Sequence, residues 1–197
     1  MNIKGNAVIL TNGKFDSKSA KTAHGLIRGS KRFNIVAVID SSFSEKYVHV
    51  DKNGKIDLLD NVSDIPIFKE FNSFLQSSLK VDYCIIGVAS AGGLLPDEMR
   101  EDIKLSLKNG ISIINGLHSI LNQDEELVEI SNKSNTKIFD IRASRPRDEL
   151  IFWSGKIYDV KVPKIVVLGT DCGLGKRTTA KLIVENLEKN NIKSDMI

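Results

Sequence analysis

A glycine-rich segment at residues 164–179, KIVVLGTDCGLGKRTT, has the residue types and the order of a phosphate-binding loop. An apolar run rich in β-branched residues ends at the glycines, and a helical pattern begins at Gly175-Lys176. In such a loop the backbone N–H groups point at an anion, and the helix N-terminus and the lysine add positive charge. The segment therefore predicts the strand–loop–helix of a P-loop. The alternative is a structural turn with a surface lysine.

The position after the loop lysine departs from the common P-loop pattern. A Ser or Thr usually stands there and ligates Mg²⁺ through its hydroxyl, whereas this chain has Arg177. A guanidinium cannot ligate a metal but can hold a second phosphate, so the loop suits an anion better than ordinary Mg·ATP hydrolysis. The predicted phosphate-binding residues are Gly169, Thr170, Asp171, Cys172, Gly173, Gly175, Lys176, Arg177, Thr178 and Thr179.

Two further groups of residues follow predicted strands. Gly92-Gly93 comes after the apolar run 83–88, and α/β folds bind ligands at the carboxyl ends of parallel strands. His118 stands just past the predicted strand 111–115, a suitable place for a general acid or base. The alternatives are a tight crossover at the glycines and a helix-capping or packed role for His118.

Basic side chains form the last candidate group. Arg142 ends the predicted strand 137–142, and Arg145 and Arg147 follow it, so that three arginines lie within six residues. Such a cluster can grip a carboxylate or a phosphate, although charge on an exposed loop is the alternative. His24 lies within a predicted helix, where it is interpreted on spacing alone as a helix-face residue.

The elements that must position these residues alternate between strands and helices. A strand at 6–10, a helix at 17–29 and a strand at 34–40 form the opening of a Rossmann-like βαβ unit. The first turn lacks the Gly-x-Gly-x-x-Gly fingerprint of dinucleotide-binding proteins, which counts against NAD binding. Asp40, at the end of the second strand, either contacts a ribose or caps a turn. Residues 41–64 are polar and are predicted to be irregular, with a tight turn at Asn53-Gly54.

The 197 residues therefore predict an α/β protein with a Rossmann-like parallel sheet and flanking helices, followed by the first strand–loop–helix of a P-loop domain. The expected divisions are a Rossmann-like domain at 1–150, a linker at 151–163 and the beginning of a P-loop domain at 164–197. A parallel strand needs neighbours on both sides, and the last segment has none. The sequence is accordingly expected to be a fragment of a longer protein.

Composition narrows the function classes. The net charge of +3 arises entirely within residues 161–197, and no basic stripe is interleaved with aromatic residues, so nucleic acid is not an expected partner. Cys84 and Cys172 lie in or beside apparent buried strands, which predicts a reducing cytoplasm and no disulfide framework. No apolar run approaches 18 residues, so no membrane span is expected. A small molecule is the expected ligand, and a homo-oligomer is compatible with the sequence.

Several short motifs together resemble a known family. They are Thr22-Ala23-His24-Gly25-Leu26, Val38-Ile39-Asp40, Gly92-Gly93-Leu94-Leu95-Pro96, Gly116-Leu117-His118, Asp140-Ile141-Arg142 and Gly169-Thr170-Asp171-Cys172. In this order they resemble the P-loop proteins long described as a domain of unknown function and typified by D-glutamate N-acetyltransferases of the DgcN type. The P-loop is also similar to that of dethiobiotin synthetase.

The resemblance implies transfer of an acetyl group from acetyl-CoA to the amine of a D-amino acid such as D-glutamate. It implies that Lys176 and Arg177 hold the phosphates of acetyl-CoA and that an arginine within 142–147 holds the substrate carboxylate. His118 or His24 would accept the amine proton. Two other hypotheses stay open: an ATP-binding enzyme resembling dethiobiotin synthetase, with or without Mg²⁺, and a truncated phosphate-binding module without activity.

Overall fold

The computed structural model describes residues 3–44, 46–60, 64–145, 147–171 and 174–197, with the backbone alone at Arg147. The chain divides into two compact units, residues 1–145 (unit 1) and residues 146–197 (unit 2). Within the described ranges, no helix combines the length and the apolar character needed to cross a membrane. The domain boundaries expected at 150 and 163 stay predictions.

Unit 1 contains eight described strands and four α-helices. The strands are β1 Gly5–Leu10, β2 Phe33–Ile39, β3 Lys46–Val50, β4 Ile56–Leu59, β5 Ile65–Phe68, β6 Tyr83–Ile86, β7 Ser112–Asn115 and β8 Ile138–Asp140. The α-helices are α1 Lys21–Ile27, α2 Phe71–Leu75, α3 Arg100–Lys108 and α4 Glu125–Lys133. Short 3₁₀ turns at Lys18–Ala20 and Asp97–Met99 lead into α1 and α3.

One sheet of eight strands in the order β4-β3-β5-β2-β1-β6-β7-β8 organises unit 1. The six strands from β5 to β8 in that order are parallel, and β1 lies between β2 and β6. The connections reverse direction at β1, so a crevice is expected where the carboxyl ends of β1 and β6 diverge. The prediction of a Rossmann-like parallel sheet is thus confirmed.

The segment 41–64, predicted to be irregular, instead forms a hairpin that extends the sheet. Strands β3 and β4 pair antiparallel, and β3 also pairs antiparallel with β5. Gly54, with a φ of 78°, permits the turn between them, and the turn predicted at Asn53-Gly54 is present. The prediction was wrong because polar residues surround Tyr47-Val48-His49-Val50 and obscure the alternation of apolar and polar residues that is typical of a strand. Within this hairpin only Val48 is fully buried.

Alternating side chains of the central strands build a core on each face of the sheet. On one face Val8 and Leu10 of β1 pack with Ile103 and Leu107 of α3 and with helices α2 and α4. On the other face Ile9 joins a second cluster beneath α1. Because both faces of β1 are buried, its run of apolar residues is continuous, as is typical of a central parallel strand.

The described residues of unit 2 form two 3₁₀ turns and helix α5, Lys176–Lys189. No side chain that the structure describes in this unit is buried, and those of Ile165, Val166 and Leu168 are all exposed. Residues 164–168, which were predicted to form the strand before the P-loop, pair with none of the described strands. A strand is defined by its hydrogen-bonded neighbours, and this segment has none among the described residues.

Helices α3 and α4 are joined by a network of charged side chains. Arg100 donates hydrogen bonds from both Nη atoms to Asp124, and Nη2 also donates to Glu126 at 2.8 Å. Lys104 reaches the other oxygen of Glu126 at 2.7 Å. These hydrogen bonds from Arg100 hold the pKa of Asp124 below its usual range. Asp124 is also the N-cap of α4, since its carboxylate accepts the Leu127 N–H.

Substitution of Asp124 separates its charge from its capping role. We expect Asp124→Ala to lower the free energy of unfolding by about 1 kcal/mol more than Asp124→Asn, because asparagine still caps the helix. Because the pKa of Asp124 is lower in the folded protein, its carboxylate adds to the free energy of unfolding above the unfolded-state pKa of about 3.9. This contribution is lost as the pH falls through the folded-state pKa. Urea unfolding should therefore show wild type and Asp124→Asn converging between about pH 7 and about pH 2. An unchanged difference would contradict the role of the charge.

Candidate functional site

A cavity of about 340 Å³ opens at the carboxyl edge of the sheet in unit 1. Its walls come from the start of α1 and from the segments that follow β6, β7 and β8. The lining residues are Thr22, Val88, Ala89, Ser90, Gly92, Gly93, Gly116, Leu117, His118 and Arg142. Arg142 carries the only permanent charge among these described residues, so the cavity favours an anionic group.

His118 and Arg142 contact each other over this cavity. The Arg142 Nη1 lies 3.2 Å from the His118 Nε2, and the Arg142 Nε donates to the Gly116 carbonyl at 2.8 Å. A guanidinium can only donate, so Nε2 is the acceptor and the imidazole proton is on Nδ1. In the part of the chain that the structure describes, no acceptor is recorded for the Arg142 Nη2. The pair thus offers a donor for an anion and a basic nitrogen beside it.

The His118 ring packs directly on the backbone of Gly93. A Cβ atom placed on Gly93 would lie 2.1 Å from the His118 Cδ2, and the φ of Gly93 is 70°. The Gly93 carbonyl accepts the backbone N–H groups of His118 at 2.8 Å and Ser119 at 3.2 Å. Gly93 is therefore needed for close approach as well as for its backbone conformation. Gly92 and Gly93, predicted to line a ligand site, do line the cavity.

A polar pair at the ends of β7 and β8, Asn115 and Asp140, was missed by the sequence analysis. The Asn115 side chain is fully buried and bonds both to Asp140 and to the loop that carries His118. The signal was present in the sequence, because β7 and β8 each end in a polar residue after apolar ones. Because the carboxyl ends of neighbouring parallel strands meet at one edge of a sheet, the closeness of the two side chains could have been predicted.

The other predicted polar residues of unit 1 lie elsewhere. The His24 Nε2 is 2.8 Å from the Phe15 carbonyl, and the ring packs edge-on against Phe15, so His24 does not line the cavity. Arg145 is exposed and is also absent from the lining. Asp40 is buried and accepts bonds from Thr11, from the Phe15 N–H and from the Ser42 N–H. These contacts match the turn-capping alternative for Asp40.

The predicted P-loop of unit 2 is described except at Cys172 and Gly173, which lie outside the described residues. Gly175 is the N-cap of α5 with a φ of 83°. The Lys176 ammonium donates to the Asp171 carbonyl, and the Lys176 side chain lies against Gly169. The Thr179 hydroxyl donates to the Gly175 carbonyl at 3.1 Å. Thr170, Arg177 and Thr178 are exposed.

The contact between Gly93 and His118 can be tested with a matched pair of alanine variants. We expect Gly93→Ala to destabilise unit 1 more than Gly110→Ala does. Both glycines have a positive φ, 70° and 78°, but a Cβ on Gly110 meets nothing within 4 Å. Gly110→Ala should therefore carry only the backbone cost of about 1 kcal/mol, and Gly93→Ala should add steric conflict.

The measurement is urea unfolding of both variants, repeated in a His118→Ala background. Removal of the ring should abolish most of the excess cost at Gly93, which a double-mutant cycle measures as coupling. Equal costs at Gly93 and Gly110 in the wild-type background would contradict the contact.

Comparisons with known proteins bear on both units. Two curated proteins called D-glutamate N-acetyltransferase are similar to this chain, one from Pseudoalteromonas sp (34% identity over 111 residues) and one from Tritonibacter scottomollicae (26% over 113 residues). Each aligned region covers 56% of this chain but only 32% of the relative.

A crystal structure of a DUF1611 family protein from Anabaena variabilis ATCC 29413 shares the fold. The TM-score is 0.74 and the sequence identity is 24%, over 95% of this chain and 51% of the Anabaena chain. This chain therefore spans about half the length of that protein.

Two domains of one family match consecutive parts of the chain. Residues 51–144 match a domain of unknown function described as the Rossmann-like domain DUF1611_N. Residues 151–197 match the P-loop domain of the same family, DUF1611_C. The two matches together cover more than half of the sequence, and the order of domains is the one that the residues predicted. The chain belongs to the DUF1611 family, as a Rossmann-like domain followed by the start of a P-loop domain.

Proposed function

We propose that this chain is the N-terminal part of an acetyl-CoA-dependent N-acetyltransferase that acts on a D-amino acid such as D-glutamate. The observation that carries the proposal is the contact between His118 and Arg142 over an otherwise uncharged cavity. The similarity to two D-glutamate N-acetyltransferases supports it. The Rossmann-like unit would hold the amino acid, and the P-loop would hold phosphate groups.

An amino acid offers two groups that match this pair. Its carboxylate can accept hydrogen bonds from the Arg142 guanidinium, which is fixed on one side by the bond from Nε to Gly116. As the carboxylate takes up Nη1 and Nη2, the His118 Nε2 is released from Arg142. That nitrogen then faces the substrate amine with a free lone pair. Binding of the amino-acid carboxylate to Arg142 thus frees the His118 Nε2 to act as the base.

The reaction requires a base for one proton. The amine nitrogen bonds to the acetyl carbon, the thioester C–S bond breaks, and the His118 Nε2 accepts the proton that the nitrogen loses. The released thiolate of CoA then takes up a proton, so that the products are the N-acetyl amino acid and the free thiol. His24 is the weaker candidate for the base, since its Nε2 is engaged by the Phe15 carbonyl.

The P-loop residues suit the phosphates of acetyl-CoA. Lys176 and Arg177 supply two positive charges at the start of α5, whose N-terminus adds to the field. In the described structure the Lys176 ammonium folds back to the Asp171 carbonyl, and a phosphate would replace that contact. The position after Lys176, where a Mg²⁺-ligating hydroxyl usually stands, holds Arg177, whose guanidinium cannot ligate a metal.

The cytoplasm is the compartment that we propose. The thiol of Cys84 is free and buried in the sheet, and reducing compartments maintain thiols in this state. Burial also raises the pKa of Cys84 to about 12, so this cysteine carries no nucleophilic role in the proposal.

Kinetics of the natural gene product that contains this chain test the amino-acid site. We expect His118→Ala to lower kcat for acetylation of D-glutamate by roughly 10²- to 10⁴-fold, the usual range for loss of a general base. Arg142→Ala should mainly raise the KM for D-glutamate, by roughly 10- to 100-fold, because charge-assisted hydrogen bonds are lost.

Arg28→Ala is the matched control, because the Arg28 Nε also donates to a glycine carbonyl, that of Gly54, away from the cavity. It should leave kcat and KM unchanged. Wild-type activity in His118→Ala, or no acetylation by the wild type, would overturn the proposal.

Thermal unfolding with ligands tests the P-loop. We expect acetyl-CoA to raise the Tm of the same protein without Mg²⁺ and Lys176→Ala to abolish this shift, because the lysine supplies the full charge at the loop. Lys181→Ala, on the same helix but paired with Glu185, is the control and should keep the shift. A shift that requires Mg·ATP would support the alternative of an ATP-binding enzyme, and an unchanged shift in Lys176→Ala would contradict the loop assignment.

A further inference from the structure

One buried residue holds both members of the pair over the cavity. The Asn115 backbone carbonyl accepts the Ile141 N–H at 2.9 Å, which fixes the chain next to Arg142. The Asn115 Oδ1 accepts the Leu117 N–H at 2.9 Å, which fixes the chain next to His118. Asn115 itself is fully buried at the end of β7, so its own position is set by the sheet.

The carboxamide closes the loop that carries His118. While Oδ1 accepts at the start of the loop, Nδ2 donates to the Ser119 carbonyl at 2.6 Å, on the far side of His118. Both ends of the loop are thus attached to one planar group. Only one orientation of the amide satisfies these contacts, because Leu117 supplies a donor and Ser119 an acceptor.

Asp140 fixes the orientation of that amide. The Asn115 Nδ2 also donates to the Asp140 Oδ1 at 2.7 Å. The same carboxylate accepts the backbone N–H groups of Leu121 at 3.1 Å and Asn122 at 2.9 Å. A carboxylate has no donor, so it holds the nitrogen of Asn115, and not the oxygen, toward β8.

We propose that Asn115, oriented by Asp140, is a positioning residue that sets the His118 imidazole against Arg142. Asparagine is the side chain required here, because an aspartate would place a second carboxylate against Asp140 and could not donate to Ser119. Alanine would leave the Leu117 N–H and the Ser119 carbonyl without their partner. The inference rests on the proposed roles of His118 and Arg142, but its structural test needs neither ligand nor activity.

The test is the position of the His118 ring in the free protein, measured by NMR. The ring lies on Gly93, so the wild type should show a strong nuclear Overhauser effect between the His118 Hδ2 and a Gly93 Hα. We expect this signal to be lost in Asn115→Ala. Asn115→Asp has the same size and tests the same point if the alanine variant does not fold.

Ser131→Ala is the control, because Ser131 also makes a buried hydrogen bond to a backbone carbonyl, that of Thr136, but lies away from the cavity. It should keep the signal. Retention of the signal in a folded Asn115 variant would overturn the inference.

Kinetics give a second, separate measurement. Since Asn115 holds both groups, Asn115→Ala should lower kcat and raise KM together, with kcat/KM falling on the order of a hundred-fold, the cost of a small misplacement. Ser131→Ala should change neither constant. If the ring moves as expected but the wild type acetylates no amino acid, the proposed function fails and the positioning role stands. If the enzyme is active and the ring stays in place in Asn115→Ala, the positioning role fails alone.

Discussion

The site in unit 1 depends on the buried carboxamide of Asn115. Its hydrogen bonds tie the end of β7 to the end of β8 and close the loop that carries His118. A buried amide without partners is costly, whereas one with every bond satisfied specifies a single arrangement. That arrangement brings a guanidinium and an imidazole together above a cavity. The exposed His118 is therefore held by a side chain that is itself buried.

The two units differ in how far their elements are supported. In unit 1 every parallel strand is paired with at least one described neighbour, and helices cover both faces, so the carboxyl edge beside the cavity is well supported. In unit 2 helix α5 is formed, while the described apolar residues before it, such as Ile165, Val166 and Leu168, are exposed. A P-loop acts through backbone N–H groups and a helix end, and these features are local. The start of α5 at Gly175-Lys176 is accordingly formed although no paired strand is found among the described residues of unit 2.

Much of the fold was predictable from the sequence because it rests on local patterns. The apolar runs of β1, β2 and β6 and the P-loop glycines were identified from their residue types alone. The hairpin of β3 and β4 was missed, since only Val48 in it is fully buried and the pairing with β5 is not local. Likewise the family resemblance implied either His24 or His118 as the base, and tertiary contacts separate the two: His24 bonds to Phe15, whereas His118 lies on Gly93.

The central claim is that an amino-acid carboxylate binds Arg142 and releases His118. NMR of the Arg142 Nε–H and of the His118 ring nitrogens during a titration with D-glutamate tests it most directly. The account predicts that both sets of resonances shift together and saturate at one ligand concentration, with Nε2 changing more than Nδ1. Acetylation of D-glutamate by a protein in which neither side chain responds to the ligand would contradict the account.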